Sequence, residues 1–295
     1  MARVTALRSI ELGVTDLRLS AAFYRECWGL RPVAQGPGFC FLRATGPEHH
    51  VLVLRKRPAP ALIRVDFTAA SPLAVRKLHG ELESSGVKVR AEPGPIEDPG
   101  GGYGFAFLDP AGREFRILSE GAVHADAADA PDRPRKLSHV VLNSTDADAD
   151  AAFFLDTLDF RLSDQTAMME FLRCNADHHS IAFARAGSVS LNHAAFEMPD
   201  WDAVMRGAGR MKEAGHALEW GVGRHGPGNN VFAYFIDPDG LVIEYAAELQ
   251  RIDEALHRPG NPQAWARPLN RLDQWGFAGP PSEKILNAMN GAGQA

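Results

Sequence analysis

Two histidines and one glutamate in the second half of the chain form its most metal-competent set of side chains. His139 and His193 each lie in a short apolar segment typical of a strand, and Glu244 lies within the apolar run Leu241–Tyr245. Burying a carboxylate in such a run is costly unless a positive group pairs with it. Two imidazoles and one carboxylate with open coordination positions suit non-haem Fe(II). The three residues therefore predict an Fe(II) site, and the pattern is also compatible with Mn(II).

An internal repeat explains how these residues are positioned. Thr15-Asp16 recurs as Thr145-Asp146, an offset of 130 residues, and the segment 107–112, FLDPAG, recurs at 235–240 as FIDPDG. A repeat of this length indicates two copies of one structural unit. Each copy itself contains two successions of a strand, a helix and further strands. The sequence predicts an α+β fold of four βαβββ modules, paired into two homologous domains.

The first half of the chain carries other residue types at the three equivalent positions. They are Ser9 for His139, Arg64 for His193 and Arg116 for Glu244. A single histidine in a strand is usually an ordinary core residue, but three ligand-type residues at matched positions of paired repeats are much harder to attribute to chance. We therefore expect the metal site in the second half and a degenerate site in the first.

Changes in composition along the chain predict its domain boundaries. Residues 1–120 form the first domain, and the segment 121–136, rich in Ala, Asp and Pro, is typical of a linker. Residues 137–250 form the second domain, which carries the site. The tail, 251–295, is polar and rich in turns, and we expect it to pack across the mouth of the second domain and line the substrate entrance.

Composition excludes several classes of protein. The chain has 295 residues and a net charge of −6 without a basic block, which gives no indication of a nucleic-acid or membrane partner. It shows neither a signal peptide nor a membrane-spanning run. Its three cysteines have no paired spacing, as in a reducing cytoplasm. Base rates favour a homo-oligomer.

The spacing of His139, His193 and Glu244, together with the segment 223–245, GRHGPGNNVFAYFIDPDGLVIEY, resembles the type I extradiol ring-cleaving dioxygenases of the vicinal oxygen chelate superfamily. These include catechol 2,3-dioxygenases and 2,3-dihydroxybiphenyl 1,2-dioxygenases. The resemblance runs from about residue 5 to 250 and implies the glyoxalase/bleomycin resistance/dihydroxybiphenyl dioxygenase fold. It also implies Fe(II)-dependent cleavage of a catechol by O₂ beside the diol, giving a semialdehyde or keto acid. Ala233 departs from the family, in which a bulkier aliphatic residue is usual.

The same resemblance implies roles for three further residues. His179 is the expected acid–base group, and His225 and Tyr234 are expected to donate hydrogen bonds to substrate or oxygen intermediates. His178 is the alternative acid–base group, but successive residues of a strand face opposite sides, so only one of the two can face the metal. We assign Asn229-Asn230 to shaping a turn.

Two other functions compete with ring cleavage. One is a metal-dependent isomerase or thiol transferase of the glyoxalase kind, which has no evident use for His179 together with Tyr234. The other is a metal-free protein that binds an aromatic drug, which has no use for the three predicted ligands. Which catechol is cleaved does not follow from the sequence.

The turn between the last two strands gives a geometric prediction. Tyr234 and Glu244 can share a face of an antiparallel pair only if the connection between their strands has an odd number of residues or a bulge restores the parity. We therefore predict a five-residue connection, Asp237–Leu241, that sets Tyr234 directly opposite Glu244.

Overall fold

The computed structural model describes residues 3–266 and 272–294 and contains two eight-stranded mixed sheets, one from each half of the chain. The first half contains the following elements: β1 (Val4–Val14), α1 (Leu17–Phe23) with a π-helical turn at Tyr24–Trp28, β2 (Arg31–Gly36), β3 (Phe39–Arg43), β4 (Leu52–Lys56), β5 (Ala61–Ala69), α2 (Pro72–Ser84), β6 (Val89–Pro95), β7 (Tyr103–Leu108) and β8 (Glu114–Ser119). Their strand order is β2-β3-β4-β1-β5-β8-β7-β6.

Within the residues that the structure describes, the second half repeats this arrangement and is followed by one additional helix. Its elements are β9 (Lys136–Ser144), α3 (Ala147–Leu158), β10 (Arg161–Gln165), β11 (Met169–Arg173), β12 (Ile181–Arg185), β13 (Ser190–Glu197), α4 (Trp201–Glu213), β14 (Trp220–Arg224), β15 (Val231–Ile236), β16 (Val242–Ala247) and α5 (Glu283–Met289). Their strand order is β10-β11-β12-β9-β13-β16-β15-β14. The predicted α+β fold of four βαβββ modules is confirmed.

Helix starts follow the capping signals in the sequence. Asp16, Ser71, Asp146 and Asp200 each occupy the N-cap of a helix, and their side chains accept hydrogen bonds from backbone N–H groups of the first turn. Such caps satisfy donors that the helix itself cannot pair. Each of these helices therefore begins at a residue whose side chain can cap it, and this fixes where each module turns from its first strand into its helix.

The sequence pattern does not single out the four edge strands, β2, β6, β10 and β14. They are short and polar or rich in Pro and Gly, as in VRAEPGP of β6. An edge strand pairs on one side only and needs no continuous apolar pattern, and charged residues or Pro are common there. Hydrophobic alternation consequently identifies the inner strands and misses the edges.

The Asp-Pro-x-Gly loop of each half docks on the first helix of the other half. Asp239 accepts hydrogen bonds from Thr15 and Ser20, and Asp237 accepts one from the hydroxyl of Tyr24 at 2.8 Å. In the reciprocal contact, Arg113, one residue beyond the loop of the first half, pairs with Asp150 of α3. The repeated motif therefore joins the halves as well as turning a hairpin.

The tail contains a short helix instead of turns alone. Ile285, Ala288 and Met289 of α5 pack with Phe232 and Tyr234. Because side chains alternate along β15, α5 covers the sheet face to which Tyr234 points. Residues 267–271 and 295 of the predicted tail lie outside the described part. No helix among the described residues is long and apolar enough to cross a bilayer.

Candidate metal centre

Three inner strands bring His139, His193 and Glu244 together. β13 lies between β9 and β16, pairing with the first in antiparallel and with the second in parallel register. The Nε2 atoms of His139 and His193 lie 3.3 and 3.2 Å from the same oxygen of Glu244, Oε2. The ligand atoms of all three residues lie within 4.8 Å of one another. All three side chains are buried, with Glu244 fully so.

The hydrogen bonds around this cluster leave its inward-facing atoms free. Asn192 Oδ1 lies 2.7 Å from Nδ1 of His193, and Asn230 Nδ2 donates to Oε1 of Glu244 at 3.1 Å. His193 Nε2 and Glu244 Oε2 lie 3.2 Å apart but do not have the geometry of a hydrogen bond, and among the described residues both atoms are buried without a hydrogen-bond partner. Buried polar atoms are normally satisfied. A divalent cation between them would satisfy both, so the residues present fit a metal.

Electrostatics within the cluster favour the charged carboxylate. Burial alone would raise the pKa of Glu244, but the neighbouring rings of His139 and His193 outweigh it and hold the pKa below its ordinary value. Burial lowers the pKa of His193, against the opposing effect of Glu244. Neutral imidazole and ionised carboxylate are the forms that bind a metal.

Tyr234 lies directly opposite Glu244 in the β15–β16 pair, and Ile236 opposite Val242, so that the connection is the five residues Asp237–Leu241. The predicted register is confirmed, and no bulge is needed. The hydroxyl of Tyr234 lies 3.0 Å from His225 Nε2, which is 4.0 Å from Glu244 Oε1. Burial, reinforced by Glu244, raises the pKa of Tyr234 well above its ordinary value. Burial lowers the pKa of His225 to about 4.

The two adjacent histidines before β12 face different surroundings. The ring centre of His179 lies 4.2 Å from that of His139, and burial lowers the pKa of His179 well below its ordinary value. His178 Nε2 instead lies 2.7 Å from Asp164 on β10. The six predicted side chains thus lie in one cluster, in which His179 adjoins His139 and His225 adjoins Tyr234 and Glu244. His178 lies between His179 and Asp164.

The equivalent place in the first half is filled by ion pairs. Arg116 and Arg64 both pair with the buried carboxylate of Asp66, and Ser9 donates to it at 3.1 Å. Glu11 pairs with Arg64 at 2.6 Å. Arginine guanidinium groups occupy the positions of His193 and Glu244, and their ion pairs with Asp66 and Glu11 fill this place.

Several residues that contact the site are not among the residues predicted for it. Asn230 donates a hydrogen bond to Glu244, whereas the sequence predicts only a role in a turn. Its neighbour Asn229 has the left-handed backbone conformation that is common in turns. Ser138 hydrogen-bonds to His139 at 3.1 Å. The signal that could have identified Ser138 and Asn192 is position, because each directly precedes a predicted ligand. Asp164 carries no such signal, because it lies on an unrecognised edge strand.

The chain is similar to known proteins over both of its halves. The family model "Glyoxalase/Bleomycin resistance protein/Dioxygenase superfamily" matches residues 6–117 and 136–245. Metapyrocatechase 2 of Cupriavidus necator is 35% identical over 146 residues, which are 48% of this chain and 45% of that relative. 3-Methylcatechol 2,3-dioxygenase of Pseudomonas putida is 27% identical over 66% of this chain and 73% of its own.

Among solved structures, the Mn(II)-bound glyoxalase from Novosphingobium aromaticivorans superposes with a TM-score of 0.91 at 38% identity, over 96% of this chain and 94% of that chain. The family model covers both halves of the chain, and the curated relatives named above are dioxygenases. The chain therefore belongs to the Glyoxalase/Bleomycin resistance protein/Dioxygenase superfamily, as a relative of its extradiol dioxygenases.

Proposed function

We propose that the protein cleaves a catechol beside its diol, adding both atoms of O₂, at an Fe(II) ion held by His139, His193 and Glu244. The product is a ring-opened semialdehyde or keto acid. The observation that carries the proposal is the buried ligand cluster with two unpartnered inward-facing atoms, His193 Nε2 and Glu244 Oε2. The dioxygenases to which the chain is similar support ring cleavage by O₂ as the class of reaction.

The charge of the ligand set suits a catechol. Two neutral imidazoles and one carboxylate leave a divalent metal with a single net positive charge, which a catechol monoanion neutralises. A near-neutral site is tolerable in a buried pocket, where an uncompensated charge is costly. Iron bound there would supply adjacent positions for catechol and O₂, so that the two react at close range.

The remaining side chains serve protons and orientation. His179 lies beside His139 at the pocket and is placed to accept the proton of a catechol hydroxyl and to return a proton later, which is general acid–base catalysis. The hydrogen-bonded pair of Tyr234 and His225 lies beside Glu244, with His225 Nε2 4.0 Å from Glu244 Oε1. We expect hydrogen bonding from this pair to orient the substrate oxygen atoms.

A second function deserves a direct comparison because a structural neighbour with 38% identity is named a Mn(II)-bound glyoxalase. A glyoxalase-type isomerase would use the same ligands but would not consume O₂. Dependence on O₂ therefore separates the two functions, and reconstitution with Fe(II) or Mn(II) separates the two metals.

The experiment begins with metal-stripped protein reconstituted with Fe(II) or Mn(II) and assayed for bound metal by mass spectrometry. Wild-type protein should bind one metal and, with Fe(II) and air, convert members of a catechol panel to yellow ring-opened products. His139→Ala, His193→Ala and Glu244→Ala should lose both metal and turnover, because three ligands are the minimum for this geometry. The matched control is Ser9→Ala, at the position equivalent to His139, which should retain both. Stoichiometric metal in Glu244→Ala, or conversion without O₂, would contradict the proposal.

A further inference from the structure

We propose that His178 and Asp164 are positioning residues that hold His179 in one tautomer, with its proton on Nδ1 and an unprotonated Nε2 left for the pocket. Three side chains in a row carry this inference. Asp164 Oδ2 lies 2.7 Å from His178 Nε2, and His178 Nδ1 lies 3.0 Å from His179 Nδ1. The catalytic consequence rests on the proposed function, whereas the tautomer itself does not.

The carboxylate at the far end fixes the direction of every hydrogen bond in the row. Burial alone would raise the pKa of Asp164, but hydrogen bonds from His178 and the Gly260 N–H, among others, hold it below its ordinary value. An ionised carboxylate only accepts. His178 must therefore donate from Nε2. Burial holds the pKa of His178 below its ordinary value despite the opposing effect of Asp164, so the neutral ring is favoured at neutral pH and its Nδ1 is then an acceptor.

The acceptor on His178 then determines the state of His179. Two ring nitrogens 3.0 Å apart form a hydrogen bond only if one of them carries the proton, and His178 Nδ1 does not. His179 must donate from Nδ1, because the hydrogen bond made by one ring nitrogen sets which nitrogen is protonated. In a neutral His179 the other nitrogen, Nε2, is then unprotonated. A base that accepts a proton from catechol needs such an unprotonated nitrogen.

The row also supports the charge that such a base acquires. When Nε2 of His179 takes a proton, the ring becomes positive and its Nδ1–H strengthens its bond to His178. Passing that Nδ1 proton to His178 Nδ1 would return His179 to neutrality and place the positive ring against Asp164. No other group gains or loses a proton. All three side chains are buried, which makes the distant carboxylate more effective than it would be in water.

The first half of the chain provides an internal comparison. His49 and His50 precede β4 as His178 and His179 precede β12, and their Nδ1 atoms lie 3.1 Å apart. The outer ring there, His49, stacks on His124 instead of bonding to a carboxylate. The histidine pair is thus common to both halves, whereas the hydrogen-bonded aspartate belongs to the half with the metal-ligand cluster.

The test reads the tautomer without turnover. Full-length protein labelled with ¹⁵N-histidine and loaded with diamagnetic Zn(II) is studied by two-bond ¹H–¹⁵N correlation spectra. Because the chain has 11 histidines, His179→Gln identifies the signals of His179. Wild-type protein should show His179 protonated at Nδ1 only. Asp164→Asn should convert part or all of it to the Nε2-protonated form. His178→Gln removes the ring that is hydrogen-bonded directly to His179, and it serves as a second variant if Asp164→Asn fails to fold.

Kinetics of the Fe(II)-loaded protein provide the matching functional readout. Asp164→Asn should lower kcat by about 10- to 100-fold, the range for removing an outer partner of a functional histidine, with metal content and KM unchanged. The control His49→Gln should leave both the His179 signals and kcat unchanged. A wild-type His179 protonated at Nε2, or an unchanged tautomer in Asp164→Asn, would overturn the inference. The expected tautomers without any catechol turnover would uphold it and count against the proposed function alone.

Discussion

At the scale of single residues, the same place in the fold holds a metal-ligand cluster in the second half and a set of ion pairs in the first. Glu244 and Arg116 occupy the same position of the repeat, yet Glu244 has an unpartnered oxygen beside two histidines and Arg116 pairs with Asp66. The three candidate ligands could be found from sequence because the repeat supplied a comparison for each. The partner of His178 could not, because Asp164 lies 14 residues away on a polar edge strand.

His179 should be more important for turnover than His178. His179→Gln should retain metal and bind catechol but lose about 10²–10⁴-fold in kcat, the usual range for a positioned proton-transfer group. His178→Gln should lose less, because His178 acts only through His179. Steady-state kinetics with metal analysis checks both variants, and the reverse ranking would show that the wrong histidine was assigned to the acid–base role.

At the scale of elements, the connection between β15 and β16 has two functions. Its five residues set the register that points Tyr234 and Glu244 to one face, and parity alone predicted this from the sequence. Its acidic side chains also bind α1 and the adjoining π-helical turn of the other half. The second function could not be predicted, because no local pattern in a turn specifies which distant helix it will contact.

Asp237 in this connection should make stability depend on pH. Burial raises its pKa in the folded protein to about 7, from an ordinary value of 3.8. At pH values between about 4 and 7, the carboxyl group of Asp237 is ionised in the unfolded chain but protonated in the folded protein. The free energy of unfolding should therefore fall as pH rises through this window, by up to about 1.4 kcal/mol per pH unit.

The measurement is urea unfolding of wild-type protein and Asp237→Asn at about pH 5 and about pH 6.5, a window placed between the two pKa values. The variant cannot ionise at this position and should show a correspondingly shallower decline in stability. Equal declines in the two proteins would mean that Asp237 is ionised throughout the window.

At the scale of the whole molecule, the first half supports the strand that carries Glu244. Trp28 of the first half is fully buried and stacks on Tyr245, with ring centres 3.7 Å apart, and its carbonyl accepts a hydrogen bond from the Tyr245 hydroxyl at 2.8 Å. The repeat predicted two similar halves from the sequence. It did not predict this contact, since matching halves can be joined in more than one way.

Trp28→Ala should therefore weaken the whole protein. Removing a buried aromatic ring from a packed core costs about 3–5 kcal/mol, and here the loss falls at the junction of the halves. Denaturant unfolding should show the decrease, and metal retention should become weaker because Tyr245 directly follows Glu244. Phe277→Ala removes an aromatic side chain that is 89% exposed and should change stability little. Equal stabilities of the two variants would contradict this role for Trp28.

The central claim is that the buried cluster of His139, His193 and Glu244 supports the addition of O₂ to a catechol. The most direct test is a single turnover of Fe(II)-loaded protein with catechol under ¹⁸O₂, followed by mass spectrometry of the ring-opened product. The proposed function predicts that both labelled oxygen atoms enter the product and that Glu244→Ala forms none. Substrate conversion without incorporation of label, or equal conversion under nitrogen, would contradict ring cleavage and favour an isomerase of the same fold.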